Sequence, residues 1–446
     1  MRKITLVCFV LMLLIVACTK DKMPVLVELD NQLRNLVAAS APDGNLDFYV
    51  LPQENDYANI PSEPKNPLTD EKVQLGKFMF YDTGLAQSAL KPSGMGTYSC
   101  SSCHIAEAGF KPGNFQGIAD GGKGFGINGE NRVKDNDYDE SELDVQDARP
   151  LSLVNVAYVT NTFWNGQFGA TGVNIGTEDV WADDVATNRN HLGMQGIETQ
   201  NIEGVESHRI TINKEILDSF GYTEMFDQVF HDVDEEERYT IETASLAFSA
   251  YIRTIISNKA PFQNWLKGNE SALDYESKKG AILFFSKANC STCHYNQNLG
   301  SPEFHALGVN DMYQQPSYST EESDLRNLGR GGFTKKEEDL YKFKVPGIYN
   351  NADSDFFFHG ASVKKIEELV EYFNQAIPEN SKVPASQISS KFKPLNLTEE
   401  EKKHLVQFIK VGLSDPDLIR YKPNSVPSGK CFPNADPQSL IDLGCN

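Results

Sequence analysis

Positive charge is what the chain has least of. Lysine and arginine number 41 against 62 aspartates and glutamates, a formal net charge of −21 over 446 residues. That deficit excludes a nucleic-acid partner, because phosphate binding needs a basic face. An acidic surface suits a cationic partner, or simply solubility. Sustained alternation of apolar and polar residues is also lacking, so the expected fold is mostly α. A composition of 40% hydrophobic and 23% charged residues excludes a multi-pass membrane protein, a collagen and a wholly disordered chain. The length sets a soft prior of about three domains. Cysteine is sparse at eight residues, yet four of the eight fall in two matching short motifs.

The N-terminus reads as an address. Arg2 and Lys3 precede an apolar run from Ile4 to Ala17, too short for a stable bilayer span and suited to an export signal. Ile15-Val16-Ala17-Cys18 resembles a bacterial lipoprotein cleavage box, which implies that Cys18 is acylated, that Cys8 is discarded and that the protein sits lipid-anchored on the periplasmic side of a membrane. A soluble export signal cleaved nearby is the alternative. In either case the mature chain lies where disulfides persist.

Apolar spacing predicts helices over Val25–Val37, Thr69–Tyr81 with Thr69 as cap, Glu242–Ile256, Asp274–Ala288, Lys364–Gln375 and Thr398–Leu413. Gly109–Gly129 reads as loop, and the acidic run Asp135–Asp147 as solvated surface.

One internal repeat dominates. The first predicted helix after the Pro61–Pro67 break leads into Cys100-Ser-Ser-Cys103-His104, and the helix from Asp274 leads into Cys290-Ser-Thr-Cys293-His294. The approaches match too, Gly76-Lys-Phe-Met-Phe80 against Gly280-Ala-Ile-Leu-Phe284. The spacing C-x-x-C-H is that of covalent haem c attachment, two thiols for the vinyl groups and an imidazole for the iron. A redox C-x-x-C does not demand the histidine and expects a βαβ context that is absent. A zinc site would need both pairs on one ion, and they stand at the ends of two separate helices.

With these motifs in place the chain resembles the dihaem cytochrome c peroxidase family, including its MauG-like members, over about residues 60–415. The resemblance rests on Leu-Val-Asn155-Val-Ala-Tyr, Phe163-Trp164-Asn-Gly166, Gln200, Lys342-Phe-Lys-Val-Pro346 and Phe358-His359-Gly360. It implies two cytochrome c-like haem domains in tandem with long loops, hydrogen peroxide reacting at the N-terminal haem on His104, and electrons entering through the haem on His294. It places Trp164 between the haems as a relay. Gln200 matches the distal glutamine. Glu206 stands nearest to the distal glutamate, with Glu203 and His208 as competitors for the acid–base role. An interdomain calcium is a further implication, usually involving an Asn in an Arg-Asn-Ala-Pro stretch. Here Asp147-Ala-Arg149-Pro150 offers none, which leaves carbonyls near Lys344 and Pro346.

Two departures bear on mechanism. No histidine occurs from Ile105 to Asn190, so the first iron is expected to be open without prior reduction. The position fourteen beyond His359, where the family has Met or Tyr, is Phe373, which cannot ligate iron, with Tyr372 beside it. Cys431 and Cys445, in a Pro/Gly/Asn-rich tail of an exported chain, are expected to pair. The resulting division is a signal over 1–18, a tether and helix over 19–60, haem domains over 61–258 and 259–420, and a tail over 421–446. The functional expectation is a peroxidase that draws electrons from a small donor such as cytochrome c and meets the membrane only through its anchor. MauG-like oxidation of a protein substrate and a non-catalytic dihaem electron carrier are the alternatives.

Overall fold

The computed structural model describes residues 22–352 and 354–445, with side chains from residue 26 onward. The export signal, Cys8 and Cys18 lie outside the described residues. Strands are minimal among these residues: β1 (Gly122–Lys123) pairs antiparallel with β2 (Val133–Lys134), and β3 (Phe304–His305) with β4 (Phe343–Lys344). Helices and long loops make the rest.

The helices that place the site are α1 (Lys22–Ser40), α2 (Asp70–Tyr81), α3 (Gly196–Ser207), α4 (Ile241–Arg253), α5 (Pro261–Leu266), α6 (Tyr275–Phe284), α7 (Ile366–Gln375) and α8 (Glu399–Gln407). Their starts follow from side chains that satisfy free backbone N–H groups: Thr69, Thr240, Asp274 and Thr398 each accept from a residue in the first turn. Helix α6 stops before the expected Ala288. The Ala288 N–H turns back to the Leu283 carbonyl (2.9 Å) and Asn289 takes a left-handed φ of 55°, which swings Cys290 off the helix axis. The helix expected to run to Leu413 widens after α8 into a π-turn over Phe408–Gly412.

The repeat in sequence is a repeat in space. Helix α2 crosses α4 at Gly76, where an added Cβ would lie 1.9 Å from the Ala247 carbonyl oxygen. Helix α6 crosses α8 at Gly280, where it would lie 1.9 Å from that of His404. One turn later Phe80 meets Tyr251 (ring centroids 5.3 Å apart) and Phe284 meets Phe408 (5.7 Å). Only glycine permits backbones this close, so the helix leading to each C-x-x-C-H motif is locked to its partner helix at one glycine.

The two units share one apolar core. The segment Lys259–Gln263, expected as a join, enters α5, whose Phe262, Gln263 and Trp265 are fully buried. Each terminus crosses to the other unit. On α1, Asp30 accepts from Trp265 Nε1 and from Lys278 Nζ (both 2.7 Å), all three buried. At the other end Cys431 is bonded to Cys445, and the tail lies over the first motif. The Pro433 carbonyl accepts from Ser99 Oγ and Ser102 Oγ (3.0 and 3.1 Å), and Asp436 pairs with buried Arg132.

Candidate haem sites

Each motif is built the same way from local backbone. Cys100–Ser102 and Cys290–Thr292 form single 3₁₀ turns, and the His104 and His294 N–H groups donate to the Cys100 and Cys290 carbonyls (3.1 and 3.0 Å). The imidazoles are oriented alike. His104 Nδ1 bonds the Phe110 carbonyl (3.2 Å) and His294 Nδ1 the Leu299 carbonyl (2.7 Å). Phe110 and Leu299 both hold left-handed φ, 55° and 52°, the strained conformation that turns each carbonyl toward its ring. With Nδ1 as the donor, Nε2 carries the lone pair, the tautomer an iron ligand requires. Phe80 and Phe284 flank the two rings at 6.5 and 6.3 Å.

The residues fit covalently held haem. Burial pushes both imidazoles down to about 4, so they are neutral donors at any physiological pH. Burial pushes the Cys100, Cys103 and Cys290 thiols up to about 12, and none of the four motif cysteines is in a disulfide. A redox C-x-x-C needs a depressed thiol pKa, so that alternative has no support here. Gly117 runs so close to Cys103 that a Cβ would stand 2.7 Å from its Sγ. Cys293, Glu303 and His305 bring ligand atoms within 4.8 Å of one another, but Cys293 belongs to the second C-x-x-C-H motif and the Lys391 ammonium already sits 2.7 Å from Glu303.

Helix α3 carries Gln200, Glu203 and Glu206 and ends at His208, whose charge reaches the His104 ring. Its anchor is an ion pair invisible in the sequence: Arg253 holds Glu198 through both carboxylate oxygens (3.0 and 2.7 Å), both side chains fully buried. From that anchor Gln200, Glu203 and Glu206 follow at three-residue spacing. Gln200 is half-buried. Glu203 Oε2 is buried without a hydrogen-bond partner and faces Arg189 Nε, likewise unpartnered, at 3.8 Å. Burial pushes the Glu203 carboxyl up despite that guanidinium. Glu206 points out, 56% exposed, and pairs with Arg189 at the surface. His208, at the end of α3, is clamped by both Asp144 oxygens (2.9 Å each); that carboxylate raises its pKa, and the His208 charge helps depress His104. Asp144 is buried, which corrects the reading of 135–147 as wholly solvated. His191, just beyond the histidine-free stretch, packs its ring on Trp181.

Residues 70–271 match the family model described as di-haem cytochrome c peroxidase. Over that stretch the chain is similar to the di-haem cytochrome c peroxidase family. It is 27% identical over 86% of its length to cytochrome-c peroxidase IdrP1 of Denitromonas iodatirespirans, covering 92% of that protein. It is 24% identical over 81% of its length to methylamine utilization protein MauG of Methylorubrum extorquens, covering 83% of it. Among solved structures, a MauG-like protein associated with microbial copper homeostasis superposes with a TM-score of 0.57 at 24% identity, over 83% of this chain and 96% of that one. The diheme peroxidase BthA from Burkholderia thailandensis E264 gives 0.52 at 16% identity, over 82% and 91%. The matched family model implies haem c as the cofactor.

Trp164 lies where the two units meet. Its Nε1 donates to the Arg149 carbonyl (2.7 Å), its carbonyl accepts from the Lys344 N–H (2.8 Å), and its ring meets the His359 ring edge-on at 6.2 Å. His359 stacks on Phe343 at 3.5 Å and bonds Asp311 (2.9 Å). Tyr372 gives its hydroxyl to the Leu307 carbonyl (2.8 Å), and Phe373 packs on Phe392. Arg189, Asp144 and Arg149 were not singled out from the sequence. Their partners lie about four helical turns of sequence away or more, so no local pattern marks them.

Proposed function

We propose that the protein is an exported dihaem c-type peroxidase, lipid-anchored through Cys18, that reduces hydrogen peroxide to water with electrons from a small donor protein such as a cytochrome c. The observation that carries it is the pair of buried, neutral, identically oriented imidazoles, with a carboxyl of raised pKa on the helix that ends beside one of them. When bound, haem c supplies an iron centre that takes up electrons singly and delivers two of them to peroxide.

This chain's own residues do the rest. The Phe110 and Leu299 carbonyls fix the tautomer of His104 and His294. Glu203 keeps its proton to a higher pH than an ordinary glutamate, so its carboxyl can both accept a peroxide proton and return one to the departing oxygen. Gln200, one turn away, is placed to orient the substrate by hydrogen bonding. The Asp144 carboxylate clamps the His208 ring and favours its protonated form beside the site. Trp164 bridges the two units through its ring and its indole N–H. Relatives named cytochrome-c peroxidase support the activity. Oxidation of a protein substrate is the second reading, favoured by the histidine-free stretch from Ile105 to Asn190.

Intact mass and haem staining of the purified protein are expected to give two covalent haems per chain. Electron paramagnetic resonance of the resting ferric protein is expected to include a high-spin signal from an open first site. A single haem, or two low-spin signals, would contradict the reading.

A further inference from the structure

At the seam between the units one side chain occupies a place built for a cation. Arg149 is 3% exposed. Its Nη2 donates to the Pro112 carbonyl (2.8 Å) and to Ser354 Oγ (3.4 Å). Its Nη1 donates to the carbonyls of Phe115 (3.2 Å) and Asn114. Its Cζ stands 5.4 Å from the centroid of the Phe356 ring. Three converging carbonyls belong to the loop after the first motif; the hydroxyl and the ring belong to the second unit. The Arg149 backbone joins the two partners named above, its N–H donating to the His359 carbonyl (2.7 Å) and its carbonyl accepting from Trp164 Nε1 (2.7 Å).

Calcium, which the family resemblance implies at this seam, does not fit. It needs six to eight oxygens with compensating negative charge. The Lys344 ammonium is buried 4.6 Å from the Phe304 centroid, with the Arg330 guanidinium 4.7 Å from the same ring. The Lys111 ammonium donates to the Asn350 carbonyl and Asn351 Oδ1 (3.2 and 2.7 Å). The buried Arg149 and Arg330 guanidiniums repel a divalent ion in this region of low dielectric.

We infer that the Arg149 guanidinium is the seam's resident cation, gathering the 112–115 loop and the 354–359 segment so that Trp164 and His359 are held in register without a bound divalent ion. Arg149 is thus a positioning residue. Its planar fork serves several carbonyls at fixed angles, which a spherical ammonium cannot do.

The test uses the dihaem holoprotein grown with calcium present. Elemental analysis is expected to give iron without stoichiometric calcium, and EDTA to leave both the melting temperature and the resting paramagnetic spectrum unchanged. Arg149→Ala is expected to lower the melting temperature by several degrees and to alter that spectrum. Guanidinium at tens of millimolar should restore both, while calcium and methylammonium do not. Arg149→Lys, which keeps the charge and folds more readily, should fall between. Calcium at one per chain, an EDTA-sensitive melt rescued by calcium, or Arg149→Ala indistinguishable from wild type would each overturn the inference. Failure of Arg149→Ala to fold leaves the wild-type metal content and the Arg149→Lys melt to decide.

Discussion

Glu203 and Glu206 stand three residues apart on α3, and only the environment separates them. Sequence matching favours Glu206, the nearer to the family position, but the structure turns it outward and leaves Glu203 half-buried with an unpartnered oxygen. Glu203→Gln is therefore expected to slow the reaction with peroxide by roughly 10²–10⁴-fold, the usual worth of one acid–base group. Glu206→Gln should change it by less than about threefold, measured by stopped-flow absorbance of the holoprotein. The reverse ranking would return the role to Glu206. Lys344 offers a test by pH. Burial and the neighbouring Arg330 lower its ammonium pKa to about 7 from an ordinary 10.5. Between those values the unfolded chain binds a proton that the folded chain does not, so stability rises with pH from about 7 to 10.5 and the penalty is greatest below 7. At about 1.4 kcal/mol per pKa unit the penalty is at most about 5 kcal/mol, partly offset by about 1–2 kcal/mol from the Phe304 ring. Lys344→Met should raise the melting temperature at pH 6 and lose that advantage near pH 10. A pH-independent difference would contradict the assignment.

The helix pairs were legible in the sequence where the signal is local. Thr69 and Thr398 mark starts, and the matching Gly76/Gly280 and Phe80/Phe284 pairs mark the repeat. What they do was not legible, because the partners of the glycines, Ala247 and His404, lie more than a hundred residues downstream. Gly280→Ala forces α6 and α8 apart, since a contact of 1.9 Å cannot be relieved by a side-chain rotation. It is expected to cost at least about 1–3 kcal/mol and to lower haem incorporation at Cys290 and Cys293 while sparing the first motif, read by haem-stained peptide mapping. Equal loss at both motifs would show that the units fold as one. Helix α3 shows the limit from the other side. Its apolar positions are interrupted by Glu198, whose role depends on Arg253 across the core, so no periodic pattern announced the helix that carries the distal candidates.

Over the whole molecule the repeat in sequence does not announce how the termini close the structure. Helix α1 covers the second unit through Asp30, and the tail with its Cys431–Cys445 bond covers the first through Pro433 and Asp436. Such contacts depend on the completed fold, and a Pro/Gly-rich tail carries no pattern that names its docking site. The arrangement leaves one acidic body with two C-x-x-C-H motifs against a shared core, which suits the proposed passage of electrons from an external partner to peroxide. The measurement that tests this most directly is stopped-flow spectroscopy of the dihaem holoprotein mixed with hydrogen peroxide, with and without reduced cytochrome c. The account predicts a rapid peroxide-dependent change in the haem spectrum that returns to the starting state when the reduced cytochrome is supplied, with two cytochromes oxidised per peroxide consumed. No spectral response to peroxide, or cytochrome oxidation at the same rate in its absence, would contradict it.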